Sequence, residues 1–244
     1  MSAYAALTRV NYRVYTRDPM VIFFTFVFPL LFLVVLGLSF QGRDAITGVA
    51  AAILSYGTAT TSLFGAAFAL VQWRRDDILR LVRMTPTPLR SVLLARYLVS
   101  LTIAGLQVVL FSAVAVLPPF GLRPAASWPA ALPVLALGVT AFLAIGVVIG
   151  SSTDTAEGVA AIANCVMVPM GFLSGAFVPV GLMPSWLRSV AALLPLHYLN
   201  SGVSAAISGN GVLAGSATAC AGLGLFAVVF SVIGIRIFRW SNES

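Results

Sequence analysis

The chain has 244 residues, of which 60% are hydrophobic and only 9% charged, where soluble domains carry roughly 25% charged residues; a soluble globular domain is excluded and an all-α polytopic membrane protein is expected. A net charge of +7 would suit nucleic acid in a soluble protein, but here the arginines stand beside long uncharged tracts, as the positive-inside rule requires, so no nucleic-acid partner is expected. There is no lysine, which excludes the Gly-x-x-x-x-Gly-Lys loop of a standard ATP site.

Residues 1–19 carry a helical repeat. Ala3, Leu7, Val10 and Val14 form one stripe, while Arg9, Arg13 and Arg17 recur every four residues on another. Such a helix lies in the interface with its arginines toward anionic headgroups. The apolar run 20–40 gives about 30 Å of helix, enough for a bilayer core. No Ala-x-Ala site follows it, so it reads as a first span and not a cleaved leader.

Charges then punctuate the chain, and the apolar tracts between them place spans at 48–72, 93–117, 128–150, 157–180 and 212–235, with Arg96 near the start of the third and Glu157 at the start of the fifth. Between the second and third lies the charged stretch 74–92. Its residues Ile78, Leu79, Leu81 and Val82 are apolar, Arg80 and Arg83 are three apart, and Pro86 and Pro88 stop the helix. A short amphipathic helix beneath the membrane is predicted there. Residues 181–210 are broken by Pro184 and Pro195, and the helical portion 185–194 is too short to cross. It reads as a re-entrant or interfacial element at the outer mouth, buried against protein. The Ser208-Gly209-Asn210-Gly211 cluster separates it from the last span.

With six spans both termini share a side. That side collects eleven arginines, and the other only Arg43, Arg123 and Arg188. Termini and charged stretch are therefore expected in the cytoplasm.

No acid falls in the interior of a predicted span, Glu157 standing at the first position of the fifth, which argues against ion-coupled transport, since such proteins usually keep intramembrane acids as coupling sites. The single histidine, His197, without His-Glu-x-x-His or Gly-x-Ser-Gly, leaves no catalytic constellation and no metal site. His197 reads as an interfacial hydrogen-bonding residue. Cys165 and Cys220 fall in apolar tracts and read as buried packing residues. Gly146 with Gly150, and Gly171 with Gly175, have the spacing that lets helices approach closely, within one subunit or across a seam between two. Asp154 with Glu157 resembles a capping box at the start of the fifth span, with contact to a partner's arginines as a second use.

Trp73 to Pro86 resembles the second cytoplasmic loop of the permease subunits of type-2 ABC transporters, above all the daunorubicin-resistance-type exporters. That pattern reads approximately E-R-E-x-G-T-L-x-R-L-R-x-T-P. Arg74, Leu79, Arg83, Thr85 and Pro86 match it; Trp73, Arg75, Asp77 and Leu81 depart from it. A second similarity covers Pro169 to Gly175, Phe177 to Pro179, Met183-Pro184 and Pro195 to Tyr198, against P-x-x-F-L-S-G-x-F-x-P, L-P and P-L-x-Y.

The resemblance implies a permease that pairs with a second permease, identical or related, and with two separate ATPase subunits that bind ATP and magnesium. This chain would hold no cofactor and be no enzyme by itself. By similarity, residues 1–19 are a connecting elbow and Ile78 to Pro86 dock on the ATPase. The segment holding Phe172, Ser174, Gly175, Phe177 and Pro179, then Pro184, Pro195, His197 and Tyr198, closes the outer exit. The implied function is ATP-driven export of a drug, lipid or lipid-linked glycan across the cytoplasmic membrane of a prokaryote. A non-transporting scaffold or sensor with the same fold, and an ion-coupled secondary transporter, are the alternatives.

Overall fold

The computed structural model describes residues 19–39, 43–76, 89–118, 120–175, 177 and 183–237. All regular elements among them are helical, as an apolar solvent demands: a backbone with no water to bond must satisfy its own amides and carbonyls. The protein is an all-α polytopic membrane protein. Helix α1 runs without a break through Pro19–Ile22, Phe23–Val27 and Phe28–Ser39, the middle segment being π-helical. Then come α2 (Arg43–Arg75), α3 (Leu89–Ala115), α4 (Ala131–Ser152), α5 (Ala156–Leu173), α6 (Ser185–Ala191), α7 (Pro195–Ser208) and α8 (Val212–Ile237).

Five of these helices, α2, α3, α4, α5 and α8, are long and apolar enough to cross a membrane. The count is six if α6 and α7, bent by 94° at their break, are one broken span; α1, with an apolar stretch of Phe23–Ser39, is shorter. The 33 residues of α2 give about 50 Å of helix, well beyond a hydrocarbon core of about 30 Å, so its arginine-bearing last turn projects past the apolar layer.

Helix α4 is the axis of the bundle, packed on α2, α7 and α8. Its partner α2 lies parallel to it: Gly146 faces Leu63 and Ala66, and Gly150 faces Ala67 and Leu70. Added Cβ atoms there would stand 2.3 Å from the Leu63 carbonyl oxygen and 2.8 Å from that of Ala67. The first glycine pair thus seats one backbone on another inside this chain. The second pair differs. Gly171 makes room for rings, with a Cβ there meeting Phe177 at 2.5 Å and Tyr56 at 2.8 Å. Gly175 lies beyond the helix at φ +88°, a turn conformation that side chains disfavour. That turn ends α5 at Leu173, short of the expected 180.

The segment before the last span also departs from expectation. Its first helix stops at Ala191 instead of 194, and Pro195 opens a second helix of 14 residues. The reason is local. A residue preceding proline is pushed out of the helical region, and Leu194 is extended at ψ 136°, while proline itself fits a first helical turn. Helix α7 runs antiparallel to α4 and α8. Leu199 meets Gly138, Val134 and Ala219 meet Gly202, and Tyr198 meets Gly222. Leu196, Leu199, Val203 and Ala206 are fully buried, so this element is packed inside protein. It stops at Gly209, whose left-handed φ of +79° caps the helix, and Ala125 and Ser127 bond the carbonyls of Ile207 and Ala206. Cys220 is half-buried against the core, but Cys165 is exposed: it faces away from the bundle on α5 and does not pack.

Candidate functional site

A cavity of about 1050 Å³ opens between α1, α2 and α5. Its walls follow helical spacing. Phe24, Phe28 and Phe32 come from α1 at four-residue intervals, Ala156, Ala160 and Asn164 from α5, and Tyr56, Thr60, Phe64 and Phe68 from α2. The α1 rings touch in sequence, at 5.7 Å for Phe24–Phe28 and 5.0 Å for Phe28–Phe32. At the far end from the arginines, Phe177 closes the space. It lies 4.9 Å from Tyr56, 5.2 Å from Phe172 and 6.1 Å from Phe32, ring centre to ring centre. At the other end the lining turns polar, with Gln72, Arg75, Asp76 and Arg96.

A buried amide holds the α1 wall in place. Gln107, fully buried on α3, donates to the Thr25 carbonyl at 2.9 Å and to the Thr61 hydroxyl at 3.3 Å, and accepts from Thr58 at 3.5 Å. Thr25 lies in the π segment, where the Phe28 amide bonds the Phe23 carbonyl five residues back. Four residues on from Thr25 stands Pro29, which has no N–H to bond that carbonyl in an α ladder; Gln107 supplies the donor. Changing Gln107 to Leu should strand that carbonyl and cost about 2 kcal/mol, the usual penalty for a buried unsatisfied group. The measurement is the thermal midpoint in detergent, with the exposed Thr102→Val as a control that should not move. An unchanged midpoint for the Leu variant would remove the amide from the account.

The second support is Arg74. Its side chain, 3% exposed, lies 3.2 Å from the Asp154 carboxylate. It also donates to the carbonyls of Gly150 and Thr153, the latter at 2.7 Å. The Gly150 carbonyl belongs to the last turn of α4 and the Thr153 carbonyl lies just past it, where a helix gathers partial negative charge and lacks internal donors. One guanidinium at the end of α2 thus closes the end of α4 and holds the entry to α5. The helix cap itself is Thr155, whose hydroxyl accepts from the Gly158 amide at 3.0 Å. This corrects the expected cap at Asp154: that carboxylate is drawn to Arg74 of its own chain. Glu157 stands in the first turn of α5, where an acid suits the helix N-terminus.

The residues singled out from the sequence separate into three places. Arg9, Arg13, Arg17, the docking stretch Ile78 to Pro86, and Pro179 lie outside the described residues. Phe172 and Phe177 meet at the closed end of the cavity, above Gly171. Ser174 is buried beside them and its carbonyl accepts from Asn200 of α7 at 3.0 Å, which joins this end to α7. Pro184 and Pro195 begin α6 and α7. His197 packs edge to face on Tyr198, and Tyr198 lies 6.3 Å from Phe226 of α8, turned toward the bundle interior and away from the cavity lining. Sequence reasoning assigned no role to Gln107, Arg74 or the phenylalanines of α1 and α2. A glutamine in an apolar tract was the visible signal for the first; the rings showed only as apolar residues.

Among known families, the one described as ABC-2 type transporter has a sequence model that matches residues 2–208. The match ends with α7. No curated protein matches the chain.

Proposed function

The chain belongs to the ABC-2 type transporter family and is the membrane permease component of an ABC transporter; from that premise we propose an exporter permease of the daunorubicin-resistance type. It moves a hydrophobic or amphipathic substrate across the cytoplasmic membrane of a prokaryote, drawing on ATP and magnesium bound by separate ATPase subunits. Two ATPases and a second permease complete the assembly, with both termini and the 74–92 stretch in the cytoplasm. The cavity between α1, α2 and α5 is the observation that carries this reading. It is large, aromatic-walled, polar at one end, closed by Phe177 at the other, and bounded by the helix that leads into the docking stretch.

In this reading Arg9, Arg13 and Arg17 anchor the elbow, and Leu79 and Val82 are apolar contacts on the ATPase, oriented by Arg80 and Arg83. Phe177 and the segment through Tyr198 form the outer gate. The test is co-expression with an ATPase encoded at the same locus, purification of a complex of two permeases and two ATPases, and substrate-stimulated hydrolysis in lipid. Leu79→Asp should leave membrane insertion intact and cut transport by at least tenfold, since an anion buried in an apolar contact is costly. Unchanged ATP-driven transport in that variant would move the docking surface elsewhere.

A further inference from the structure

The polar end of the cavity has a sign. Arg75 and Arg96 line it together with Asp76, and one Asp76 oxygen already accepts from the Gln72 amide at 2.8 Å. Arg96 is the unusual member. It is only 5% exposed and sits two residues inside the apolar stretch that begins at Leu94. So near the end of an apolar stretch a long side chain can reach the interface, yet this one is held in the cavity wall. Positive-inside placement accounts for Arg75 at the exposed rim but does not require a buried arginine in a cavity wall. The guanidinium fork matches a phosphate or carboxylate through two parallel hydrogen bonds. Directly along the cavity from it stand the rings of Phe24, Phe28, Phe64 and Phe68, which offer nothing to a charge and much to an alkyl chain.

Resting on the cavity as the transport path, we propose that it takes an amphiphile with an anionic phosphate or carboxylate head. The head bonds Arg96, with Arg75 at the rim, and the tail lies along the phenylalanine wall. Arg96 is then the residue that sets the charge of the ligand. A volume of about 1050 Å³ stands at the top of the roughly 300–1000 Å³ range of small-molecule sites, which suits a lipid-sized molecule. An amphiphile with a cationic head would place its charge where two arginines outnumber one carboxylate.

The full chain in detergent is titrated with three fluorescent probes of the same tail: a short-chain phosphatidic acid, its phosphatidylcholine counterpart, and an alkylammonium. The phosphatidic acid is expected to bind at least tenfold more tightly than the other two. Arg96→Gln should abolish that preference, Arg96→Lys should keep part of it, and Phe28→Ala should weaken all three probes alike. Because a buried arginine can matter for folding, Arg75→Gln, at the exposed rim, tests the same preference separately and should reduce it severalfold. Equal binding of the three probes, or an unaltered ratio in both glutamine variants, overturns the proposal. So does displacement of the phosphatidic acid by millimolar inorganic phosphate, which would make the site one for free anions. Binding is read without ATP, so it stands apart from transport. ATP-driven transfer of the alkylammonium but not of the phosphatidic acid in liposomes would overturn the anionic class and keep the exporter. Preferential binding of the phosphatidic acid with no ATP-driven transfer would keep the ligand class and remove the exporter.

Discussion

Replacing Arg74 with Gln is expected to abolish ATP-driven transport while the chain still reaches the membrane and still binds its ATPase. The arginine joins three segments: the last turn of α2, the end of α4 and the entry to α5. Helix α2 continues directly into the charged stretch, so a displacement there reaches α4 and α5 through this side chain. Hydrogen bonds from a charged donor are worth about 1.5–3 kcal/mol each, and a lost fork leaves two helix-terminal carbonyls to find water at the membrane edge. A fall in stability of about 3 kcal/mol is expected, read as a lower thermal midpoint. Coupling is read as substrate-stimulated over basal ATPase activity, which should drop to one. The lysine variant should recover part of both, because it keeps the charge but not the planar fork. Asp154→Asn supplies the contrast. That side chain is 52% exposed, and half-exposed pairs contribute about 1 kcal/mol or less, so coupling should survive. If Asp154→Asn matches Arg74→Gln in effect, the carbonyl bonds are not what carries the linkage.

The largest effect on folding is expected at Gly146. A Cβ there would stand 2.3 Å from the Leu63 carbonyl oxygen and 3.0 Å from both the Leu63 carbonyl carbon and the Ala66 Cβ. Two of these atoms are backbone and cannot turn away; only separation of α2 from α4 relieves them. Overpacking a core costs about 1–3 kcal/mol where side chains can yield; with a rigid backbone opposite, Gly146→Ala should reach the upper end and Gly146→Leu should fail to give a monodisperse protein. Gly105→Ala is the matched control, since nothing lies within 4 Å of its added Cβ and glycine inside a helix costs roughly 1 kcal/mol relative to alanine. It should hold or raise the thermal midpoint. A Gly146→Ala protein as stable as the parent would mean that α2 and α4 are not seated on one another here.

Much of the architecture was legible because the bilayer simplifies the problem. An uncharged tract of twenty residues has one way to satisfy its backbone, so tract lengths and arginine positions were enough to place helices near 20–40, 48–72, 93–117, 128–150 and 212–235. The Ser208–Gly211 break was legible for the same kind of reason, since serine, asparagine and glycine end helices through local chemistry. Proline was less clear. Pro195 has the same covalent constraint whether it kinks a helix or starts one; the extended Leu194 before it makes it a start, and burial of Leu196, Leu199 and Val203 gives the new helix its packing.

By itself, then, the sequence determined the solvent, the helical class and the family motifs, because these depend on composition and on spacing along one chain. The tertiary structure alone decided which small residues are seams and which are turns, and it separated Gly146 from Gly175. It also decided that Asp154 answers Arg74 instead of capping α5, and that Phe24, Phe28, Phe64 and Phe68 share one cavity with Arg96. The physical reason is that periodicity marks residues as apolar without saying what faces them. In a membrane that distinction is weakest, since lipid and protein interior are equally apolar, and hydrophobic patterning carries no record of which face is buried.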